Sequence, residues 1–121
     1  IYTYARTRSI LRKAVERDIS PERIANADLS LLVSDEENAV IKLISEIPDA
    51  VSKAAGANEP FMVARLVAQI ARAFNRFYNN NNILSGTDLA RRDARLALCE
   101  ANCIAIKLCT ELLGIEVVER M

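Results

Sequence analysis

The sequence contains no histidine and no tryptophan, and it has only three glycines, three prolines and six aromatic residues. Without histidine the chain lacks the commonest general base, the commonest metal ligand and every histidine-containing triad. Few glycines and prolines leave little turn punctuation, which favours long helices over short strands. No apolar run approaches the roughly 18 residues of a membrane span, and no signal-peptide pattern opens the chain. These absences disfavour most stand-alone enzymes and predict a cytoplasmic helical protein with no membrane partner.

The charge of the chain is balanced overall but unevenly distributed. Sixteen basic and sixteen acidic residues give a net charge of zero over 121 residues, which argues against a uniformly basic nucleic-acid binder. The balance is nevertheless +3 over residues 1–27, −5 over 28–59, +4 over 60–95 and −2 over 96–121. Arginine dominates the two basic blocks, and its planar fork suits phosphates and stacks on bases. Solvated helix faces would produce the same charge blocks.

Apolar residues recur at helical spacing in four segments of one domain spanning residues 1–121. The first covers about 1–18 and begins without a cap or an initiator Met, which suggests a piece of a longer protein. The second opens on a Ser34–Glu37 capping box, with a break expected at Pro48, a short helix to about Ala55 and a turn at Gly56. The third runs from Glu59-Pro60 to the asparagines at 79–82, and the fourth from Thr87 or Asp88 to Gly114. We therefore predict an all-α bundle of four principal helices plus short helices.

The sequence shows no arrangement typical of an active site or a metal centre. Cys99 and Cys103 share one helix face, but Cys109 does not, and no histidine could complete a metal site. We expect all three cysteines to act as small core hydrophobes in a reducing compartment. The prediction for this chain is therefore no catalytic residue, no metal and no cofactor.

Two tyrosines lie among arginines, a combination suited to unpaired RNA bases. Tyr78 ends the third segment, in the +4 block and two residues after Arg76, and Tyr4 shares the first segment with Arg8 and Arg12. Aromatic rings stack bases while arginines hold the phosphates. A tyrosine whose hydroxyl simply emerges from the core remains an alternative for each position.

The order of several motifs resembles one known family. The stretch Y-T-Y-A-R-T-R-S-I-L-R-K-A, residues 2–14, resembles the opening of the C-terminal anticodon-binding (DALR-type) domain of arginyl-tRNA synthetases, with either Arg6 or Arg8 at the family's arginine. Glu59-Pro60, the F-N-R-F-Y run at 74–78 and the L-L-G-I-E-V-V-E-R-M ending at 112–121 are similar to later segments of that domain. Asn75 stands where family members often have histidine. The resemblance spans the whole chain in the right order.

This resemblance implies a helical RNA-binding domain, a C-terminal fragment of a larger class I synthetase. It implies that the anticodon loop of tRNA(Arg) is bound by Tyr4, Arg8, Tyr78 and the main chain near Met121, to which the arginine clusters add Arg12 and Arg76. It further implies that ATP with Mg, and arginine, bind to the parent's own catalytic domain, and that the protein is a monomer.

Two other functions remain open at this point. The first is a helical protein-interaction bundle, which requires an exposed apolar groove. The second is the homologous domain of another class I synthetase, against which the L-L-G-I…E-R-M ending speaks.

Overall fold

The structure, a computed structural model, describes residues 2–57, 61–81, 83–84 and 88–113, with main chain alone at 54–57. Within these ranges every regular element is helical, which confirms the all-α prediction. The elements in chain order are α1 (Tyr2–Glu16), α2 (Pro21–Ala25), a 3-10 turn (Leu29–Leu31), α3 (Asp35–Ser45), α4 (Ile47–Ala57), α5 (Phe61–Asn80) and α6 (Leu89–Leu112). Among the described helices, none is long and apolar enough to cross a membrane.

Where the structure describes them, the residues predicted to begin helices lie at helix N-termini. The Ser34 hydroxyl accepts a hydrogen bond from the Glu37 N–H at 3.1 Å, and the Glu37 carboxylate accepts one from the Ser34 N–H at 2.9 Å, so both halves of the capping box form. Pro48 lies in the first turn of α4, after the predicted break, where its missing N–H costs nothing. Of the two candidates for the α6 cap, the structure selects Asp88.

Two predicted helix ends need correction. Gly56, expected in a turn, lies inside α4, which continues to Ala57. The first helix ends at Glu16 because Asp18 takes a left-handed conformation, with φ of 60°, and the Ile19 N–H donates to the Ala14 carbonyl at 3.0 Å. This is a Schellman ending in which aspartate stands where glycine is usual. The predicted cap at Gly114 lies outside the described residues.

The core is built around α5 and α6, which pack against each other and against α1, α3 and α4. Phe74 and Phe77 are fully buried, with their rings edge to face at 5.7 Å, and Ile70 and Ile106 fill the adjoining part of the core. The apolar residues that recur at helical spacing in the third segment are thus buried inside the bundle. The packing leaves the crossing of α1 and α5 open to solvent at Tyr2 and Tyr78.

Candidate nucleic-acid interface

A stacked group of side chains lies where α1 crosses α5. The Arg6 guanidinium carbon lies 4.7 Å from the centre of the Tyr2 ring and 4.3 Å from the centre of the Tyr78 ring. Tyr2 and Arg6 are four residues apart on α1, so the helix places them on one face. Asn75 and Tyr78 are three residues apart on α5, and Asn75 joins the same group. We call Tyr2, Arg6, Asn75 and Tyr78 the tyrosine–arginine cluster.

Hydrogen bonds fix the guanidinium of the cluster. Arg6 Nη2 donates to the Tyr2 hydroxyl at 2.6 Å, and Nη1 donates to Asn75 Oδ1 at 3.3 Å. The Thr3 hydroxyl, which is buried on α1, donates to the same Asn75 oxygen at 3.4 Å. Because both helices supply these contacts, the cluster is assembled by the fold itself, before any ligand binds.

The cluster combines exposed rings with a positive charge that no cluster member neutralises. Tyr2 is 55% exposed and Tyr78 is 38% exposed, so a flat group arriving from solvent can reach both rings. The recorded hydrogen-bond partners of Arg6 are a phenol and an amide, both of them neutral. An arginine over aromatic faces gains cation–π attraction while its charge remains available to an anion. The arrangement is suited to a ligand that offers both a planar ring and a phosphate.

The other predicted site residues lie elsewhere. Tyr4 is only 2% exposed and packs in the core with Ile70 and Ile106. Burial raises the pKa of the Cys103 thiol, and contacts from Arg8 and Tyr4 oppose that rise. Tyr4 and Arg8 therefore converge on α6, on the side of α1 away from Tyr2.

The remaining predicted residues are not brought to the cluster either. Arg12 lines a shallow cavity together with Arg8. Arg76 is exposed, but it precedes Tyr78 by two residues, which turns it about 200° around α5. Met121 lies outside the described residues. Among the predicted site residues that the structure describes, Tyr78 is therefore the one that belongs to the tyrosine–arginine cluster.

Sequence reasoning therefore missed three of the four cluster members. The sequence does not single out Tyr2, it offers Arg6 only as an alternative to Arg8, and it marks Asn75 only as a departure from the family pattern. Helical spacing is the signal in the sequence that could have identified them. Tyr2 and Arg6 are four residues apart and Asn75 and Tyr78 are three apart, so each pair lies on one helix face.

Several arginines of the basic blocks are used by the fold. Arg95 Nε donates to the Glu37 carboxylate at 2.8 Å, and Arg23 Nε donates to Asp93 at 2.9 Å. Burial acts to raise the pKa of Glu37, but hydrogen bonds from Ser34 and Arg95 outweigh it and hold the pKa below its usual value. The charges of these two arginines are therefore balanced by Asp93 and Glu37.

The cysteines are structural. Cys99, Cys103 and Cys109 are all buried and unbridged, as expected for small core hydrophobes. Burial raises the pKa of each thiol. Within the described ranges, no group of three or more Cys, Asp or Glu residues is placed to hold a metal ion.

Comparison with known proteins gives a consistent result. The family model "DALR anticodon binding domain" matches residues 1–121. The chain is 46% identical over 120 residues to an arginine–tRNA ligase of Clostridium botulinum (strain Hall), covering 99% of this chain and 20% of that protein. It is 40% identical over 120 residues to an arginine–tRNA ligase of Clostridium kluyveri, covering 99% of this chain and 21% of that protein. The chain thus spans about a fifth of the length of these relatives.

Proposed function

Because the chain belongs to the DALR anticodon-binding domain family, we propose that it binds the anticodon loop of tRNA(Arg) through the tyrosine–arginine cluster. The observation that carries this proposal is the Arg6 guanidinium held between two exposed tyrosine rings. An anticodon loop presents unpaired bases beside phosphates, and the cluster offers aromatic faces beside a positive charge. The match to arginine–tRNA ligases supports the choice of tRNA(Arg).

The members of the cluster have separate roles in this proposal. Tyr78 and Tyr2 stack bases, a contact worth about 1–3 kcal/mol per base. Arg6 attracts the backbone and keeps both rings in place. The Asn75 amide oxygen accepts hydrogen bonds from Thr3 and Arg6, so its NH2 group is the part that can donate to a base edge.

The buried Tyr4 has a supporting role. With 2% of its surface exposed, its ring has no face to offer a base. Its packing against Ile70 and Ile106 fixes α1 on α5 and α6, and hence the position of Tyr2 and Arg6. Contacts of Arg8, Arg12, Arg76 and the main chain near Met121 with the tRNA remain predictions from the sequence.

The rest of the proposed enzyme lies beyond these residues. Relatives are about five times as long and are named as ligases, which supports a catalytic domain that binds arginine and ATP with Mg and acts on the tRNA held here. The cytoplasmic location and the monomeric state also remain predictions.

The structure also bears on the alternative that the chain is a helical protein-interaction bundle. That alternative requires an exposed apolar groove, with the apolar face of the third or the fourth segment docking a partner helix. Val63, Ile70, Leu96 and Ile106 are instead buried within the bundle. The predicted faces are therefore closed to a partner, whereas a different apolar surface on α6 is open.

The decisive experiment measures the affinity of the full-length ligase for tRNA(Arg) after Tyr78→Ala. Losing one stacked base should weaken binding by about 1–3 kcal/mol, or roughly 5- to 150-fold. The matched control is Phe61→Ala, because Phe61 is also an exposed aromatic of α5 with an arginine, Arg65, 5.6 Å from its ring centre. Equal affinities for the two variants would contradict the proposed site.

A further inference from the structure

The described part of the chain contains one long apolar surface that the bundle does not cover. Its floor is the outward face of α6, where Ala97 and Ala101 are followed by the exposed Ile104, which is 60% accessible. These residues are three and four positions apart, so they form one stripe along the helix. The exposed Leu108 and Leu112 continue it toward the end of α6.

Three shallow cavities join along this stripe into one groove. The largest, about 490 Å³, lies between α6 and α3 and includes Leu29, Ile41 and Ala101 in its lining. A second, under α2 and the 3-10 turn, shares Leu29 and Ala101 with the first, and it shares Ile104 with a third that opens against α1. We call this surface the α6 groove.

The charge of the α6 groove differs from that of a nucleic-acid site. Glu100 lines both the second cavity and the cavity beside α1, and Arg8 and Arg12 line the latter as well. Apart from Glu100 and Ser45, the first and second cavities are lined by leucine, isoleucine and alanine. Single-stranded nucleic acid requires a positive groove with stacking rings, whereas an apolar surface with a mixed-charge edge is typical of contacts between protein domains.

The α6 groove and the tyrosine–arginine cluster lie on opposite sides of α1. Leu11, which lines the groove, follows Tyr2 by nine residues, about two and a half helical turns. A partner in the groove would therefore leave the cluster free for RNA. Contiguous exposed apolar surfaces rimmed by polar residues often mark interaction sites.

We propose that the α6 groove is the surface against which the remaining four-fifths of an arginine–tRNA ligase packs. The occupant follows from the size of the relatives, since a chain covering 20% of a ligase has most of that protein as a covalent neighbour. The composition of the groove, apolar with a mixed-charge edge, matches an interdomain contact. The proposal depends on the ligase assignment but not on the tyrosine–arginine cluster.

The test places a photo-crosslinking amino acid, p-benzoylphenylalanine, at Ile104 of the full-length ligase. We expect an intramolecular crosslink from this position to a segment of the ligase outside the 121 residues, located by mass spectrometry. Leu89 is the matched control, because it is an exposed leucine of the same helix that does not line the groove. The control position should give no such crosslink.

A second variant tests whether apolar contact holds the surfaces together. Ala101→Asp places a charge on the floor of the groove and should abolish the crosslink from Ile104. Crosslinking to a second copy of the ligase, to tRNA or to nothing would overturn the proposal, as would equal crosslinks from Ile104 and Leu89. Tyr78→Ala affects tRNA binding in a separate assay, so failure of the groove proposal is distinguishable from failure of the anticodon site.

Discussion

Arg6 and Arg95 show how one residue type serves two purposes in two regions of this molecule. Arg6, at the α1–α5 crossing, lies between two exposed tyrosine rings and donates to neutral oxygens. Arg95, on α6, donates to the fully buried Glu37 carboxylate at 2.8 Å and to Asn81 Oδ1 at 3.2 Å. Both arginines belong to basic blocks of the sequence, yet only Arg6 keeps a charge that a ligand can use.

The difference follows from the partners that each helix crossing supplies. Glu37 is held by its own capping box at the start of α3, which aims its second oxygen at α6. An arginine that meets this carboxylate is neutralised and becomes part of the fold. Tyr2 and Tyr78 offer π faces without a formal charge, so the guanidinium between them remains a cation. Local partners, and not the charge of the block, decide which of these arginines keeps its charge available to a ligand.

The largest effect should follow from breaking the buried pair. Arg95→Met leaves the Glu37 carboxylate buried without its cation, which should lower the free energy of unfolding by about 3–5 kcal/mol. Urea denaturation of the 121-residue chain measures this change. The double variant Arg95→Met with Glu37→Gln removes both charges, keeps an acceptor for the Ser34 N–H and should recover most of the loss. A double variant as unstable as the single one would show that the ion pair is not the cause.

Acid should weaken the same pair by a smaller amount. The folded-state pKa of Glu37 lies below its usual value near 4.5, because hydrogen bonds from Ser34 and Arg95 outweigh burial. The unfolded chain thus binds the proton more readily, so the stabilisation from Glu37 is complete above about pH 4.5 and is lost as the pH falls through the folded-state pKa. Urea denaturation across this acid range should show a steeper loss for the wild type than for Glu37→Gln. Parallel curves would contradict the assignment.

Most of the fold could be predicted from the sequence. The five long helices, the capping box of Ser34 and Glu37 and the break at Pro48 follow from local spacing and local hydrogen bonds and are predicted, whereas α2 and the 3-10 turn are not. The ending of α1 was not, because Asp18 adopts a left-handed conformation that the sequence does not single out. Local spacing and local hydrogen bonds are therefore enough to predict most of the helices.

The candidate site was predicted less well because it depends on the crossing of two helices. Tyr78 was identified from its arginine-rich surroundings, but the arginine on its ring is Arg6 from α1, 72 positions earlier in the chain. Tyr4 has the same kind of sequence neighbours and is buried, because its side of α1 faces Ile70 and Ile106. Helix rotation and crossing decide these outcomes, and neither is visible in the local pattern.

A smaller effect is expected from a substitution that keeps the charge of Arg6 but changes the shape of its side chain. Arg6→Lys keeps the positive charge but loses the planar stack and the two-pronged hydrogen bonding to Tyr2 and Asn75. We expect tRNA(Arg) affinity to fall by about 1 kcal/mol, roughly fivefold, with the slope of affinity against salt unchanged. Arg65→Lys is the matched control, since Arg65 also lies over an aromatic ring, that of Phe61. An Arg6→Lys variant with wild-type affinity would show that the stack does not matter.

The smallest expected effect concerns Arg8, which the sequence favoured as an RNA contact. Arg8 faces Cys103 and lines the cavity beside α1, and its Nε is buried, so its removal should barely alter the dependence of tRNA(Arg) binding on salt. Arg6→Met should instead reduce the salt slope by about one, as expected when one phosphate contact is lost. Titrating tRNA(Arg) binding at several salt concentrations for Arg6→Met and Arg8→Met compares the two directly. A reduced slope for Arg8→Met alone would return the phosphate contact to Arg8 and leave Arg6 as a support for the tyrosine rings.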